Sequence, residues 1–340
     1  MSNEYKGNAV VQPPAVQEQV KRLCENVGRV MSIEERKLEH LVASAVAGGH
    51  VILADLHGVG KTSLARALAA SIQWDETDLY AGDVPMKRFN RIQCTVDLLP
   101  QDILGYNRLN GAGGEMRFQA GPIFAHFLLC DEINLLTPKT QGSFLQAMQE
   151  QEVTVEGQTY HLPEPFFIIA TMNLKGVHLF PLPAPQLDRF MIRLSLGYPS
   201  AADEVAVVLQ HGRNDAWNDF GPVIESRDLV MWMQAVDEVE IHAELVEYIV
   251  RCVTATRTHP EVSVGASPRA GIKLSRLSRA LSLIRGRSYV DIDTIKEVFV
   301  PAIAHRLIPH DPQVDVERIA REIMNAVPVE PRRKRAELEA

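Results

Sequence analysis

Apolar positions follow two rhythms along this chain. Short continuous runs, Val51–Ala54, Phe89–Cys94, Phe127–Cys130, Phe166–Ala170 and Phe190–Leu196, alternate with segments whose apolar residues recur at helical spacing. A strand covered on both faces has no polar side to present, so such runs separated by helices predict a parallel sheet with helices on either face. Ahead of the first run, Val16 to Ala47 reads as helical, with Leu23, Val27, Val30, Leu38, Leu41, Val42 and Val46 as apolar positions and room for a break in the middle. After Gly197-Tyr198-Pro199 only the helical rhythm continues, through Asp203–His211, Leu229–Val236, Ala243–Arg257, Pro268–Ile284 and Ile292–His305. The pattern predicts a polar flexible lead over 1–15, an α/β domain over 16–200, an all-helical domain over 201–330 and a charged tail over 331–340.

Composition narrows the picture. The 340 residues, 46% of them hydrophobic, suit about two domains with a real core. A net charge of −8 argues against a dedicated nucleic-acid surface, which shows as a basic excess. No run approaches the roughly 20 apolar residues of a membrane span, and the opening MSNEYKGNAVVQPPAV lacks the apolar centre of a signal peptide. Cys24, Cys94, Cys130 and Cys252 are scattered without a C-x-x-C pair, which points to reduced thiols and a cytoplasmic protein. The 11 histidines show no metal-ligand spacing. Trp217 and Trp232 read as core or interface residues, and Arg332–Arg335 as part of a solvated tail.

The strongest chemical signal is VILADLHGVGKTS over 51–63. An apolar strand gives way to a glycine-punctuated turn and then to the Ala- and Leu-rich helix Leu64–Ile72. Strand, Gly-rich loop, Lys-Thr and helix in that order form a phosphate cradle: backbone N–H groups and the positive helix end face an anion, Lys61 reaches the outer phosphates, and the Thr62 hydroxyl can ligate Mg²⁺. The candidate nucleotide-binding residues are His57, Gly58, Val59, Gly60, Lys61, Thr62 and Ser63. Asp131 and Glu132 follow the apolar run Phe127–Cys130 at its carboxyl end, where open α/β sheets place ligands. Asp131 suits the surroundings of Mg²⁺, and Glu132 suits polarisation of an attacking water. In FFIIATMN, 166–173, Thr171 and Asn173 end a strand, and a polar side chain there can orient water or touch the outermost phosphate. Arg189, just before the fifth run, can neutralise charge on a neighbouring subunit's nucleotide or form a salt bridge with Asp188. In Gly265–Arg269, Ser267 reads as an N-cap with Pro268 at the first helical position. Arg269 then lies in the first turn, where the helix dipole disfavours a cation, which asks for an anionic partner, phosphate or local carboxylate.

Together these stretches resemble the AAA+ ATPases, and within them the MoxR family. The resemblance is carried by GPIFAHFLLCDEIN (121–134), PKTQGSFLQAMQEQEVTVEGQTYHLPEPFFIIATMN (138–173), PLPAPQLDRF (181–190) and GASPRA (265–270), and it runs from about residue 28 to 308. It implies a P-loop domain with a five-stranded parallel sheet in the order 5-1-4-3-2 and a C-terminal all-helical lid. It also implies ATP/ADP and Mg²⁺ as cofactors, with Thr62 and Asp131 at the metal. By the same resemblance Glu132 serves the water, Asn173 is the first sensor, Arg189 is a trans-acting finger and Arg269 is the second sensor. A six-membered homo-oligomeric ring with nucleotide between protomers is implied too. Val153–Leu162 alternates about Glu156-Gly157 and reads as a hairpin, similar to the family's hairpin before the sensor strand (about 152–163). The Gly-rich stretch Asp102–Gly121 reads as a partly apolar loop resembling a channel-facing insertion. Departures from the family pattern are Asp55 and His57, where it carries Gly and Pro, and the lack of a glycine near Ile33. An acid beside phosphates repels them unless it points away, is paired or holds Mg²⁺.

The implied function is a Mg²⁺-ATP-driven ring that remodels, activates or matures a client protein. It is chaperone-like, works with a von Willebrand factor A domain partner, and is compatible with metal or cofactor insertion. A weakly hydrolysing, nucleotide-switched scaffold is the alternative from another class. A DNA motor is a third, opposed by the acidic balance.

Overall fold

The computed structural model describes residues 12–55, 59–110, 115–172, 180, 182–198, 201–210 and 215–330. Helix α1 spans Pro13–Gly28 and α2 spans Glu35–Val46. Pro13 occupies the first turn, where its missing N–H costs nothing, so α1 begins inside the stretch read from sequence as a lead. Val16, Val20, Leu23 and Val27 bury one stripe of it.

Strand β1 (His50–Ala54), α3 (Lys61–Ala70), β2 (Lys87–Gln93), β3 (Ala125–Asp131), α4 (Pro138–Glu150), β4 (Phe167–Met172) and β5 (Phe190–Leu194) build the α/β part. The sheet order is β5-β1-β4-β3-β2, with every pairing parallel. Side chains alternate across it. Val51, Leu53, Phe127, Leu129, Phe167 and Ile169 join the core shared with α1, α2 and α3. Ile52, Leu128, Cys130, Ile168 and Ala170 join a second core on the other face with Phe144 of α4. Strand β2 lies at the edge and buries only Ile92 fully, which is why its sequence, KRFNRIQ, is the most polar of the five.

The stretch 102–121, expected to be a loop, is largely a second hairpin: Gly105–Asn110 pairs antiparallel with Glu115–Ala120. Its glycines at the base serve close packing. A Cβ on Gly121 would lie 2.2 Å from the Ile103 carbonyl oxygen. The hairpin read from alternation pairs Glu152–Val155 with Gln158–His161. The two hairpins touch through Asn107 Nδ2 donating to Glu156 Oε2 at 2.7 Å and stacked Phe118 and Tyr160 rings 4.4 Å apart.

The C-terminal part carries α5 (Ala201–Gln210), α6 (Ser226–Ala235), α7 (Ala243–Thr256), α8 (Pro268–Ile284), α9 (Ile292–Ile303) and α10 (Val316–Ala326). It is not purely helical. Ile224–Glu225 pairs with Ile72–Gln73 of the α/β part, and Val262–Val264 with Ile308–Pro309. These pieces are two or three residues long, too short to impose a period-2 rhythm on the sequence. Among the described residues no helix is long and apolar enough to cross a membrane.

One polar joint fastens the C-terminal part to α2, and another closes the α/β part. Glu297 of α9 accepts from Arg36 Nε at 2.9 Å and from Arg285 Nη1 and Nη2 at 2.8 Å, and lies 2.9 Å from His40 Nε2. Arg285 also donates to Glu39 at 2.6 Å, so α2 is clamped to the end of α8 and to α9. Burial pushes the Glu297 carboxyl up, but the hydrogen bonds from His40 and Arg285, and the Arg285 charge, outweigh it and hold the group well below the usual carboxylate range. The second joint is Asp55, directly after β1. Its carboxylate accepts from Ser195 Oγ and Leu196 N at 2.6 Å each and from Gly197 N at 3.2 Å, tying the end of β1 to the chain leaving β5.

A depressed carboxylate stabilises the fold fully above its unfolded value, and that contribution is lost as pH falls below it. Glu297→Gln should lower unfolding stability at pH 7 by about 1–3 kcal/mol. It should also flatten the loss of stability below about pH 4.5, as read by denaturant unfolding across pH. Asp55→Ala should lower the melting temperature, and it should not tighten ATP binding in a titration, because the carboxylate it removes faces β5 rather than the cradle.

Candidate functional site

Parallel pairing brings the carboxyl ends of three strands side by side. Ala54 lies opposite Met172, and Ala170 opposite Cys130, so whatever follows β1, β4 and β3 gathers at one edge. After β1 comes the cradle. His57 and Gly58 lie outside the described residues. Gly60 is the N-cap of α3 with φ +81°, a left-handed backbone that glycine adopts without strain. Lys61, Thr62 and Ser63 form the first turn of α3. The N–H groups of that turn have no partner within the helix, and with the helix dipole they make an anion site. Lys61 is largely buried, 9% exposed, and its Nζ donates to the Asp55 carbonyl at 3.0 Å. Asp55 thus presents its carbonyl to the lysine while its carboxylate points away. It is also unstrained: among the described residues the non-glycine positions with positive φ are Glu132, Gln151 and Glu156.

Glu132 stands directly after β3 with φ 60° and ψ 52°. Such a backbone costs an ordinary residue of order 1–3 kcal/mol and gathers at functional sites. It is held by its neighbour strand: the Glu132 N–H donates to Thr171 Oγ1 at 2.8 Å, and that hydroxyl donates to Asp131 Oδ1 at 2.7 Å. Arg91 of β2 donates to Asp131 Oδ2 at 2.7 Å and to Gln93 Oε1 at 2.6 Å. The edge therefore offers a lysine, a hydroxyl-bearing helix start and two carboxylates, one fixed on both oxygens. Thr62 and Asp131 supply the hard oxygen donors that Mg²⁺ prefers, and each Asp131 oxygen keeps a further acceptor position. Asn173, next after Met172 at the end of β4, lies outside the described residues.

Arg189 and Arg269 belong to the opposite edge. Arg189 precedes β5, and Phe190 pairs with His50 at the start of β1. The five residues of β1 put it about 16 Å from the cradle's edge of the sheet. Its guanidinium donates to Gln149 Oε1 at 3.1 and 3.3 Å, not to Asp188. The Asp188 carboxylate accepts from Ser267 Oγ at 2.8 Å and Arg306 Nε at 2.9 Å. Ser267 is the N-cap residue of α8, but its hydroxyl serves Asp188 and makes no capping bond. Arg269 is exposed in the first turn of α8. Burial and then the charge of Arg269 push the Arg189 guanidinium down, against Glu150 and Asp188, so the two arginines stand close enough to repel.

Sequence reasoning missed Arg91, Lys273 and Arg306. Arg91 sits inside Phe89–Cys94, which reads as one of the apolar runs and so draws attention away from its polar members. Lys273 and Arg306 sit on helical faces where a cation looks solvated. One further cluster was also hidden: ligand atoms of His259, Glu261 and Glu322 lie within 4.8 Å of one another. Arg318 spans both glutamates, at 2.8 and 2.9 Å to Glu261 and 2.7 Å to Glu322, so its positive charge offsets one of their two negative ones.

Comparison with known proteins agrees with this geometry. The family described as "ATPase family associated with various cellular activities (AAA)" matches residues 50–192, and the AAA lid domain matches 254–326. The chain is 39% identical to protein YeaC of Bacillus subtilis, over 91% of this chain and 94% of that one. It is 31% identical to the chaperone MoxR1 of Mycobacterium tuberculosis, over 91% of this chain and 84% of that one. A crystal structure named "putative ATPase", from Cytophaga hutchinsonii, superposes with a TM-score of 0.82 at 29% identity, over 93% of this chain and 96% of that one. With both parts of the fold matched and relatives of this identity spanning nearly its whole length, the chain belongs to the MoxR family of AAA+ ATPases.

Proposed function

We propose that the protein works as a Mg²⁺-ATP-driven homo-oligomeric ring, a hexamer in the cytoplasm, whose nucleotide sits between protomers. The observation that carries this is the division of the chemistry between the two edges of one parallel sheet. The cradle and the acids stand at the carboxyl edge, and Arg189 and Arg269 at the other. An arginine about 16 Å from its own cradle is in position to serve the next protomer's.

In this reading the first turn of α3 and Lys61, with the rest of the cradle from His57 to Ser63, hold the phosphates. Thr62 and Asp131 would hold Mg²⁺, which supplies neutralisation of charge on the phosphates. Glu132, set by its backbone and by Thr171, orients the attacking water. Asn173, two residues after Thr171 in the sequence, serves as the first sensor. In this reading Arg189 and Arg269, two like charges held close, serve the anionic triphosphate of the neighbour in trans. Hydrolysis then shifts the C-terminal helical part against the sheet and moves the paired hairpins. The relative named chaperone MoxR1 supports a chaperone-like role: remodelling, activating or maturing a client protein. A von Willebrand factor A domain protein is the proposed partner, and metal or cofactor insertion is within the same reading. The departure at Asp55 lends no support to the weakly hydrolysing scaffold, since its carboxylate is turned toward the chain leaving β5 and held there by three hydrogen bonds.

Lys61→Ala should abolish ATP binding in a calorimetric or fluorescence titration; unchanged binding would remove the cradle assignment. Glu132→Gln should bind ATP and turn over at least about a hundredfold more slowly. Mixing Glu132→Gln protomers with Arg189→Ala protomers should recover part of the ATPase activity that each lacks alone. Affinity capture on Glu132→Gln in ATP should retain the client and the partner.

A further inference from the structure

The backbone around Arg189 is gripped from the C-terminal helical part at several points. Ser267 and Arg306 hold the Asp188 carboxylate. The Arg306 guanidinium, almost fully buried, also donates to the Phe190 and Met191 carbonyls. Lys273 Nζ donates to the carbonyl of Arg189 itself. Lys273 lies four residues after Arg269 on α8, so both project from one face of that helix. One helix therefore carries an exposed arginine and, a turn later, a half-buried ammonium that fastens the residue bearing the other arginine.

We propose that Lys273 is a positioning residue for Arg189: it couples α8 to the finger, so that Arg189 and Arg269 are presented to the neighbouring protomer's nucleotide as one unit. The inference rests on the trans reading above. A neutral donor would satisfy a carbonyl equally well, and an ammonium here is costly. Burial, then Arg306, Arg269 and Arg189, push Lys273 down to about 7 against the pull of Asp188. Four cationic side chains (Arg189, Arg269, Lys273, Arg306) stand against two acids, Asp188 among them and Glu150 beside Arg189. That excess is offset when a polyphosphate arrives from the next protomer, and burying the cation at the finger's carbonyl makes the offset largest where the finger must be held. A lid rotation that moves α8 would move Arg189 with it.

The mixed-ring experiment tests this with a polarity that a general packing role lacks. In the mixture of Glu132→Gln and Arg189→Ala protomers, recovered hydrolysis comes from sites with Glu132 intact facing a neighbour with Arg189 intact. Lys273→Met added to the Glu132→Gln protomer, the finger donor, should cut the recovered kcat by roughly tenfold or more with KM for ATP unchanged. The same substitution added to the Arg189→Ala protomer should leave recovery within about twofold. Lys273→Arg on the donor, which keeps charge and donor, should restore most of it. Equal loss in both placements, or no loss in either, overturns the positioning role. No recovery in the parent mixture overturns the trans reading on which it rests. Circular dichroism melts of Lys273→Met and Lys273→Arg establish that both fold.

Discussion

Parallel pairing fixes a distance that one protomer cannot close. Every strand of the central sheet runs the same way, so the residues after the strands and the residues before them are kept apart by a strand length, about 16 Å for β1. Lys61, Thr62, Asp131 and Glu132 fall on one edge, and Arg189 on the other. The stiffness of a sheet buried on both faces makes that separation permanent. Lys61 and Arg91 are the cations at the cradle's edge, and Arg189 is held a strand length away from them within the chain.

The same constraint explains how each edge is tuned. At the carboxyl edge the acids are locked: Thr171 bridges the Glu132 amide and the Asp131 carboxylate, and Arg91 takes the other carboxylate oxygen. Preorganisation of this kind suits phosphoryl transfer, where positioning and electrostatics carry almost all the catalysis. At the other edge the groups are cationic and mutually repelling, held by hydrogen bonds to carbonyls and a single carboxylate. One edge gathers carboxylates, a hydroxyl and a lysine about a helix start, the other gathers positive charge.

Much of this was legible because the informative residues sit where backbone geometry leaves little choice. Lys61 and Thr62 follow a glycine that must be left-handed, and Asp131 and Glu132 follow a strand whose apolar run is unmistakable. The helix Pro268–Ile284 was readable to its ends because Ser267 and Pro268 mark its start and a full apolar stripe follows. What stayed hidden is made by contacts between distant segments. Asp55 reads as an intrusion into the cradle, and only the approach of Ser195 to Gly197 turns its carboxylate aside. The hairpin over 102–121 reads as a loop because its glycines, Gly105 and Gly121, signal flexibility in sequence while in the fold they admit a close backbone approach.

The lid's place in the chemistry follows from these tertiary contacts. Ser267, Lys273 and Arg306 all come from the C-terminal part, yet all hold residues 188 to 191, the turn before β5 and the first two residues of that strand. Glu297 makes a second attachment, to α2. Arg189 lies beside the first of these attachments; Arg276 donating to the Ala47 carbonyl, the Arg193–Glu317 ion pair and the pairing of Ile224–Glu225 with Ile72–Gln73 join the parts elsewhere. The backbone that carries Arg189 is thus fastened directly to the helical part. The cradle is anchored separately, through Asp55 and the strands.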